Sequence, residues 1–158
     1  MNIKSSLIVH PIFDHDSHTI TYVVSDPVTK KSAIIDSVLD YHHKNVQTDT
    51  ILADAVIAYI TEQGLDNEWI LETHMHADHI SAASYLQEKV GGKKAIGNNI
   101  TKVQKYLQEV FDLNPNFKTD GSQFNHLFAD GEEFMIGSVK AKALHTPGHT
   151  PADMVYHH

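Results

Sequence analysis

The apolar positions of this chain fall into short runs whose period changes from two to three or four and back again. Ile3, Leu7, Val9, Ile12 and Phe13, then Ile20, Tyr22, Val23 and Val24, predict strands over residues 3–13 and 18–25. Asp14 to Ser17 supplies turn residues between them, so a hairpin is the simplest arrangement. A turn around Asp26-Pro27 and Lys30-Lys31 leads into a short buried-type strand, Ala33-Ile34-Ile35-Asp36. Residues 37–47 have no clean period and read as a loop. From Thr48 to Gln63 the positions Ile51, Leu52, Ala55, Val56, Tyr59 and Ile60 form one stripe of an amphipathic helix, capped by Thr48 or Asp49 and stopped by Gly64.

Residues 68–71 form a buried strand. Ile80, Ala83, Leu86 and Val90 then predict a helix over 78–90 that ends at Gly91-Gly92. Lys94 to Ile96 is a short strand, and Ile100, Val103, Leu107, Val110 and Phe111 set a third helix over 98–111, broken by Asn114-Pro115. Beyond Phe124 the pattern is strands joined by tight turns: 124–128, Asp130-Gly131, 134–136, Gly137-Ser138 and 139–144. Strands alternating with helices, followed by a run of strands, describe an α/β chain. No repeat or linker divides it, so residues 1–158 are read as one domain.

Composition narrows the chemistry. Lys plus Arg number 12 and Asp plus Glu 20, a formal charge of −8, which argues against phosphate-backbone binding and makes nucleic acid an unexpected partner. There are no cysteines, which leaves histidine and carboxylate as the available metal ligands. The apolar run Leu7-Ile8-Val9 is too short for a secretory core, and no stretch approaches a membrane span, so a cytoplasmic location without membrane contact is expected.

Thirteen residues are histidine, and three of them crowd into His74-Met75-His76-Ala77-Asp78-His79, shortly after Trp69-Ile70-Leu71. On extended backbone, His74, His76 and Asp78 would point to one side and His79 elsewhere. Two imidazoles can then serve one metal position, with Asp78 and His79 available to a neighbouring one. Such donors suit zinc, iron or manganese. Asp78, at the start of the predicted helix, is expected to cap it and to act in the site. His42-His43 in the loop are read either as site contacts or as plain loop residues.

His74-x-His76-x-Asp78-His79, with His145-Thr146-Pro147-Gly148-His149-Thr150 about 70 residues downstream, is similar to the paired metal-binding segments of the metallo-β-lactamase superfamily. The resemblance implies an αββα sandwich with metal at one edge. It covers the amino-terminal half to two thirds of such a domain, so the fold is expected to be truncated after the second motif. The exposed half-sandwich would present a broad apolar face, for which a homodimer is one cover.

The text around Asp36, His74 and His149 resembles most closely that of bacterial persulfide dioxygenases. That likeness implies one Fe(2+) held by His74, His149 and an aspartate outside this sequence. His76, Asp78 and His79 would then orient ligands and bound water, and glutathione persulfide would be oxidised by O2 to sulfite and glutathione. The alternative is a glyoxalase II-like hydrolase. There His74, His76 and His149 would hold a first Zn(2+), with Asp78 and His79 holding a second, and a metal-activated hydroxide would attack a thioester or lactone. Asp36 and His145 are candidates for positioning the ligand histidines from behind.

Overall fold

The computed structural model describes residues 6–42, 44–76 and 79–158. Ile3, His43 and Asp78, to which roles were assigned above, lie outside these residues.

The chain begins with an antiparallel hairpin, β1 (Ile8–Phe13) and β2 (Ile20–Ser25), followed by antiparallel β3 (Lys31–Ile35). The predicted second strand begins two residues late because His18 takes a positive φ of 58° in the turn. β6 (Asp66–Leu71), β8 (Lys93–Gly97) and β9 (His126–Phe128) add to β3 in parallel, giving a six-stranded sheet ordered β1-β2-β3-β6-β8-β9.

The expected loop over 37–47 is instead β4 (Val38–His42) folded antiparallel onto β5 (Gln47–Asp49), with β7 (Ile80–Ser81) on the other side of β4. Polar side chains had hidden this strand pair, since its residues are mostly solvent-facing. The pairing also moves the first helix, α1 (Ile51–Glu62): Thr48 and Asp49 belong to β5, and Thr50 is the N-cap residue. Asp40 on β4 accepts the Leu52 amide at 2.9 Å, so an early amide of α1 is satisfied from the neighbouring strand. Likewise α2 (Ala83–Val90) starts five residues later than predicted, with Ala82 as N-cap, because Ile80 and Ser81 are drawn into pairing with Leu39 and Val38. The predicted cap, Asp78, lies outside the described residues.

α1 and α2 cover one face of the large sheet, where Ala53, Val56, Ile60, Ala82, Ala83 and Leu86 pack on Val23, Ile34 and Ile70. A third helix, α3 (Ile100–Val110), follows β8 and buries Ile100 and Gln104. The opposite face meets an antiparallel three-stranded sheet, β10 (Glu132–Ile136), β11 (Val139–His145) and β12 (Met154–His157). Val24, Ala33, Leu71, Ala95 and Phe128 from one sheet pack against Phe134, Ile136, Ala141, Ala143 and Met154 from the other. One helix layer and both facing sheets of the expected sandwich are thus formed by the described residues.

The expected broad apolar face is not found on the outer side of β10–β12. Glu133 there pairs with Lys140 at 2.8 Å, beside exposed Met135 and Val155.

A polar clamp closes the sandwich at the end away from the histidines. Asp26, in the β2–β3 turn, accepts from the Ser138 hydroxyl at 2.6 Å and amide at 2.8 Å, and from Thr29 Oγ1 at 2.8 Å. The Ser138 hydrogen bonds hold this carboxyl well below its usual range. Its stabilisation is therefore present above the ordinary carboxylate pKa and is lost only as pH falls through the lowered value. Gly137 completes the turn at φ +59°, and a Cβ there would lie 2.7 Å from Asp26 Oδ2 and closer still to Thr29 Oγ1. Gly137→Ala is expected to destabilise the fold by about 2 kcal/mol from backbone strain and overpacking. The check is the urea unfolding midpoint, with circular dichroism confirming a native baseline.

Candidate metal centre

β6 delivers the chain to Glu72, and the His74 motif follows on irregular backbone rather than on the extended strand the alternation argument assumed. Its imidazoles nevertheless converge. Ring centroids step 5.0 Å from His149 to His74, 4.2 Å from His74 to His76 and 4.0 Å from His76 to His79. All four histidines predicted as ligands form one continuous row.

Two carboxylates organise the row from below. Asp36 sits at the end of β3 with φ 51°, a left-handed conformation that aspartate tolerates better than most residues. Its amide donates to Leu71 O at 2.9 Å, and its own carbonyl receives Thr21 Oγ1 at 2.9 Å. So pinned, the Asp36 carboxylate accepts the Thr73 amide at 2.7 Å and the Thr73 hydroxyl at 2.9 Å, and lies 3.0 Å from His76 Nε2. Glu72, almost fully buried, holds the same Nε2 at 2.9 Å and receives Ser81 Oγ at 2.5 Å. Burial opposes charge on His76, yet the hydrogen bonds to Asp36 and Glu72 prevail and raise its pKa to about 10.

Asp36, Glu72 and His76 offer ligand atoms within 4.8 Å of one another. The facing atoms of this trio already hydrogen-bond one another through His76 Nε2, at 2.9 and 3.0 Å.

His74 is the contrasting case. Its Nδ1 lies 2.9 Å from Thr73 Oγ1, while its Nε2 is buried without a hydrogen-bond partner among the described residues. A buried polar atom left unpaired is costly and calls for a ligand. Burial, and then the nearby His76, push the His74 pKa down, keeping the ring neutral as a metal ligand must be. The donor set thus fits a metal ion: a buried Nε2 on His74, the His149 imidazole edge-on to it, and carboxylates that fix the His76 ring behind.

His149 is presented by the 146–153 loop between β11 and β12. Asp153, unremarked in the sequence, braces that loop: its carboxylate receives the Thr150 amide at 2.9 Å and the Thr150 hydroxyl, and its carbonyl receives the Thr146 amide at 2.9 Å. The Met154 amide donates to Thr73 O at 2.9 Å, which ties the two histidine segments together. His145 does not reach a ligand histidine; its Nε2 lies 2.9 Å from Pro151 O and 3.0 Å from Asn99 Nδ2, so it anchors the loop. His42 lies on β4 near Asp49, at 3.9 Å, outside the row. Glu72, like Asp153, is a residue that sequence reasoning missed. Its position four before His76, at the end of a buried strand, was the available signal.

A cavity of about 450 Å³ opens beside the row, with His74, His76, His79, Lys94, Ile100 and Phe124 in its wall. Asp36→Asn keeps the shape of the site but removes the charge behind His76 and behind the Thr73 hydroxyl that meets His74 Nδ1. It is expected to weaken metal binding roughly 10- to 100-fold, as read by competition with a chromogenic chelator.

No helix among the described residues is long and apolar enough to cross a membrane. The chain is 49% identical over 148 residues to a beta-lactamase hydrolase-like protein of Xylella fastidiosa, covering 94% of this chain and 34% of that protein. It is 47% identical over 158 residues to glyoxylase B2 of Dictyostelium discoideum, covering 99% and 53%. The mouse mitochondrial persulfide dioxygenase ETHE1 is more distant, 23% identical over 95% of this chain and 47% of its own. The crystal structure of ETHE1 from Myxococcus xanthus superposes with a TM-score of 0.69 at 26% identity, over 94% of this chain and 52% of that one. The chain spans about a third to a half of the length of the curated relatives it matches. Residues 15–158 match the metallo-beta-lactamase superfamily, and with the histidine row at the edge of its two facing sheets this chain belongs to that superfamily.

Proposed function

We propose that this chain carries the metal-binding segments of an iron-dependent persulfide dioxygenase. The supporting observation is the division of labour in the histidine row. His74 presents a buried, unpartnered Nε2 with His149 edge-on at 5.0 Å, whereas Nε2 of His76 is engaged by Asp36 and Glu72. A buried imidazole nitrogen beside a second imidazole, with a third ring turned through its Nε2 to two carboxylates, suits a mononuclear site. The structural likeness to the Myxococcus ETHE1 points the same way.

In this reading His74 and His149 hold the ion. Fe(2+) so held supplies open positions for the persulfide sulfur and dioxygen. Asp36 and Glu72 fix the His76 ring through Nε2, and Thr73 fixes His74 through Nδ1, so neither ring turns as substrate enters. The net reaction takes glutathione persulfide, one O2 and one water to glutathione, sulfite and two protons. The sulfur–sulfur bond breaks, and the terminal sulfur gives up the four electrons that reduce dioxygen.

A second reading, a dinuclear zinc hydrolase of a thioester, is favoured by the 4.0 Å approach of His79 to His76 and by the hydrolase-type names of the 47–49% identical relatives. The experiment is to load the full protein anaerobically with Fe(2+) or with Zn(2+) and assay each form. Oxygen uptake on glutathione persulfide by the iron form, with sulfite released one for one, is the expected result. Thioester hydrolysis by the zinc form, with no oxygen uptake by the iron form, overturns it.

A further inference from the structure

Away from the histidines, α3 has a surface that the fold leaves uncovered. Tyr106 and Val110 on the helix are 64% and 55% exposed, and Phe111 and Leu113 just beyond it are 67% and 37% exposed. Four large apolar side chains are thus exposed within eight residues, and Tyr106 and Val110, four apart, share one face of the helix.

The charges of the same helix are placed against its dipole. Lys102 and Lys105 occupy the amino-terminal half, and Glu109 the last turn, with Asp112 just past the end; there is no acidic residue in the first turn and no basic residue in the last. A helix favours the reverse order, with acids at the amino end and bases at the carboxyl end. All four charged residues are exposed, and none has an ion-pair partner among the described residues.

One partner answers both features. A second copy of α3, running antiparallel about a two-fold axis level with Leu107, sets Lys105 opposite Glu109 and Lys102 opposite Asp112, in both directions at once. It also opposes the two helix dipoles and covers Tyr106 and Val110. Such self-complementarity is what an isologous interface requires. We propose that α3 is a homodimer interface in which two copies of this chain pair antiparallel through Tyr106 and Val110, flanked by reciprocal Lys105–Glu109 contacts.

The patch is one short helix, at the small end of interface sizes, so the dimer is expected to be weak, with a Kd on the order of micromolar. Sedimentation equilibrium of the full protein at low salt tests it. The wild type is expected to dimerise. Lys105→Glu and Glu109→Lys, each of which sets like charges opposite one another, are each expected to weaken the dimer about tenfold. The double variant K105E/E109K restores the reciprocal pair with signs exchanged and is expected to return to within about threefold of wild type. Because these side chains are exposed, circular dichroism should show every variant folded. A wild type that stays monomeric to hundreds of micromolar, single variants that dimerise as wild type does, or a double variant weaker than either single one overturns the proposal. If another segment of a longer protein covers α3, the first of these results is the one observed.

Discussion

His74→Ala is expected to abolish stoichiometric metal binding at micromolar metal while leaving the fold intact. The Nε2 of this residue is buried without a hydrogen-bond partner among the described residues, and His149 meets its ring nearly at a right angle with centroids 5.0 Å apart. A structural zinc site is worth roughly 10–16 kcal/mol shared among four ligands, so one ligand carries about 3 kcal/mol, or at least a hundredfold in affinity. Removing the imidazole also removes an unsatisfied buried group, so the apo protein is expected to keep its stability or gain a little through relief of that cost. Metal titration followed by chelator competition, with thermal melts of the apo forms alongside, checks both halves. A variant that binds metal as tightly as wild type would remove His74 from the site.

Phe128→Ala is expected to have the largest effect on stability. Phe128 is fully buried at the end of β9, and its ring meets Phe134 at 4.8 Å, Trp69 at 5.6 Å and Tyr156 at 5.9 Å, joining three strands of the facing sheets and the parallel edge. Truncation leaves a cavity that its aromatic neighbours cannot fill, at a cost of about 3–5 kcal/mol. For a chain of this size that corresponds to a fall in melting temperature of roughly 10 °C or more. Differential scanning calorimetry of the apo protein measures it. A shift of only a degree or two would mean that the two sheets do not share this core. The effect reaches the metal as well, because Tyr156 on β12 donates to Glu72 O at 2.8 Å, just before the histidine segment.

The buried architecture was legible in the sequence because buried strands and amphipathic helices write their period into the chain. Ala33-Ile34-Ile35, the α1 stripe and the alternation of Val139, Ala141 and Ala143 each became the element they predict. What was not legible is mostly exposed and tertiary in origin. β4, β5 and β7 are held mainly by pairing with one another, and only Val38 and Leu39 reach the core, too few to separate a strand pair from a loop in Val38 to Asp49. The same pairing set the start of α2, where local propensity alone extended the helix back to Asp78.

The site was read on the same terms. His74, His76, His79 and His149 stand out by residue type and spacing, and the structure gathers all four. Glu72 and Asp153 act through hydrogen bonds to backbone, hydroxyl and ring atoms from residues whose chemistry carries no motif of its own. Asp36 was legible because a carboxylate at the end of a buried strand has few other reasons to be there. His145 holds the loop through Pro151 rather than a ligand ring, a distinction that only the path of that loop makes.

The central claim is that His74 and His149, and not the trio of Asp36, Glu72 and His76, hold the metal. A crystal structure of the metal-loaded protein, with anomalous data collected across the metal edge, tests it most directly. The account predicts an anomalous peak at bonding distance, about 2.1 Å, from His74 Nε2 and shared with His149. A peak seated instead among Asp36, Glu72 and His76, with His74 uncoordinated, would contradict it.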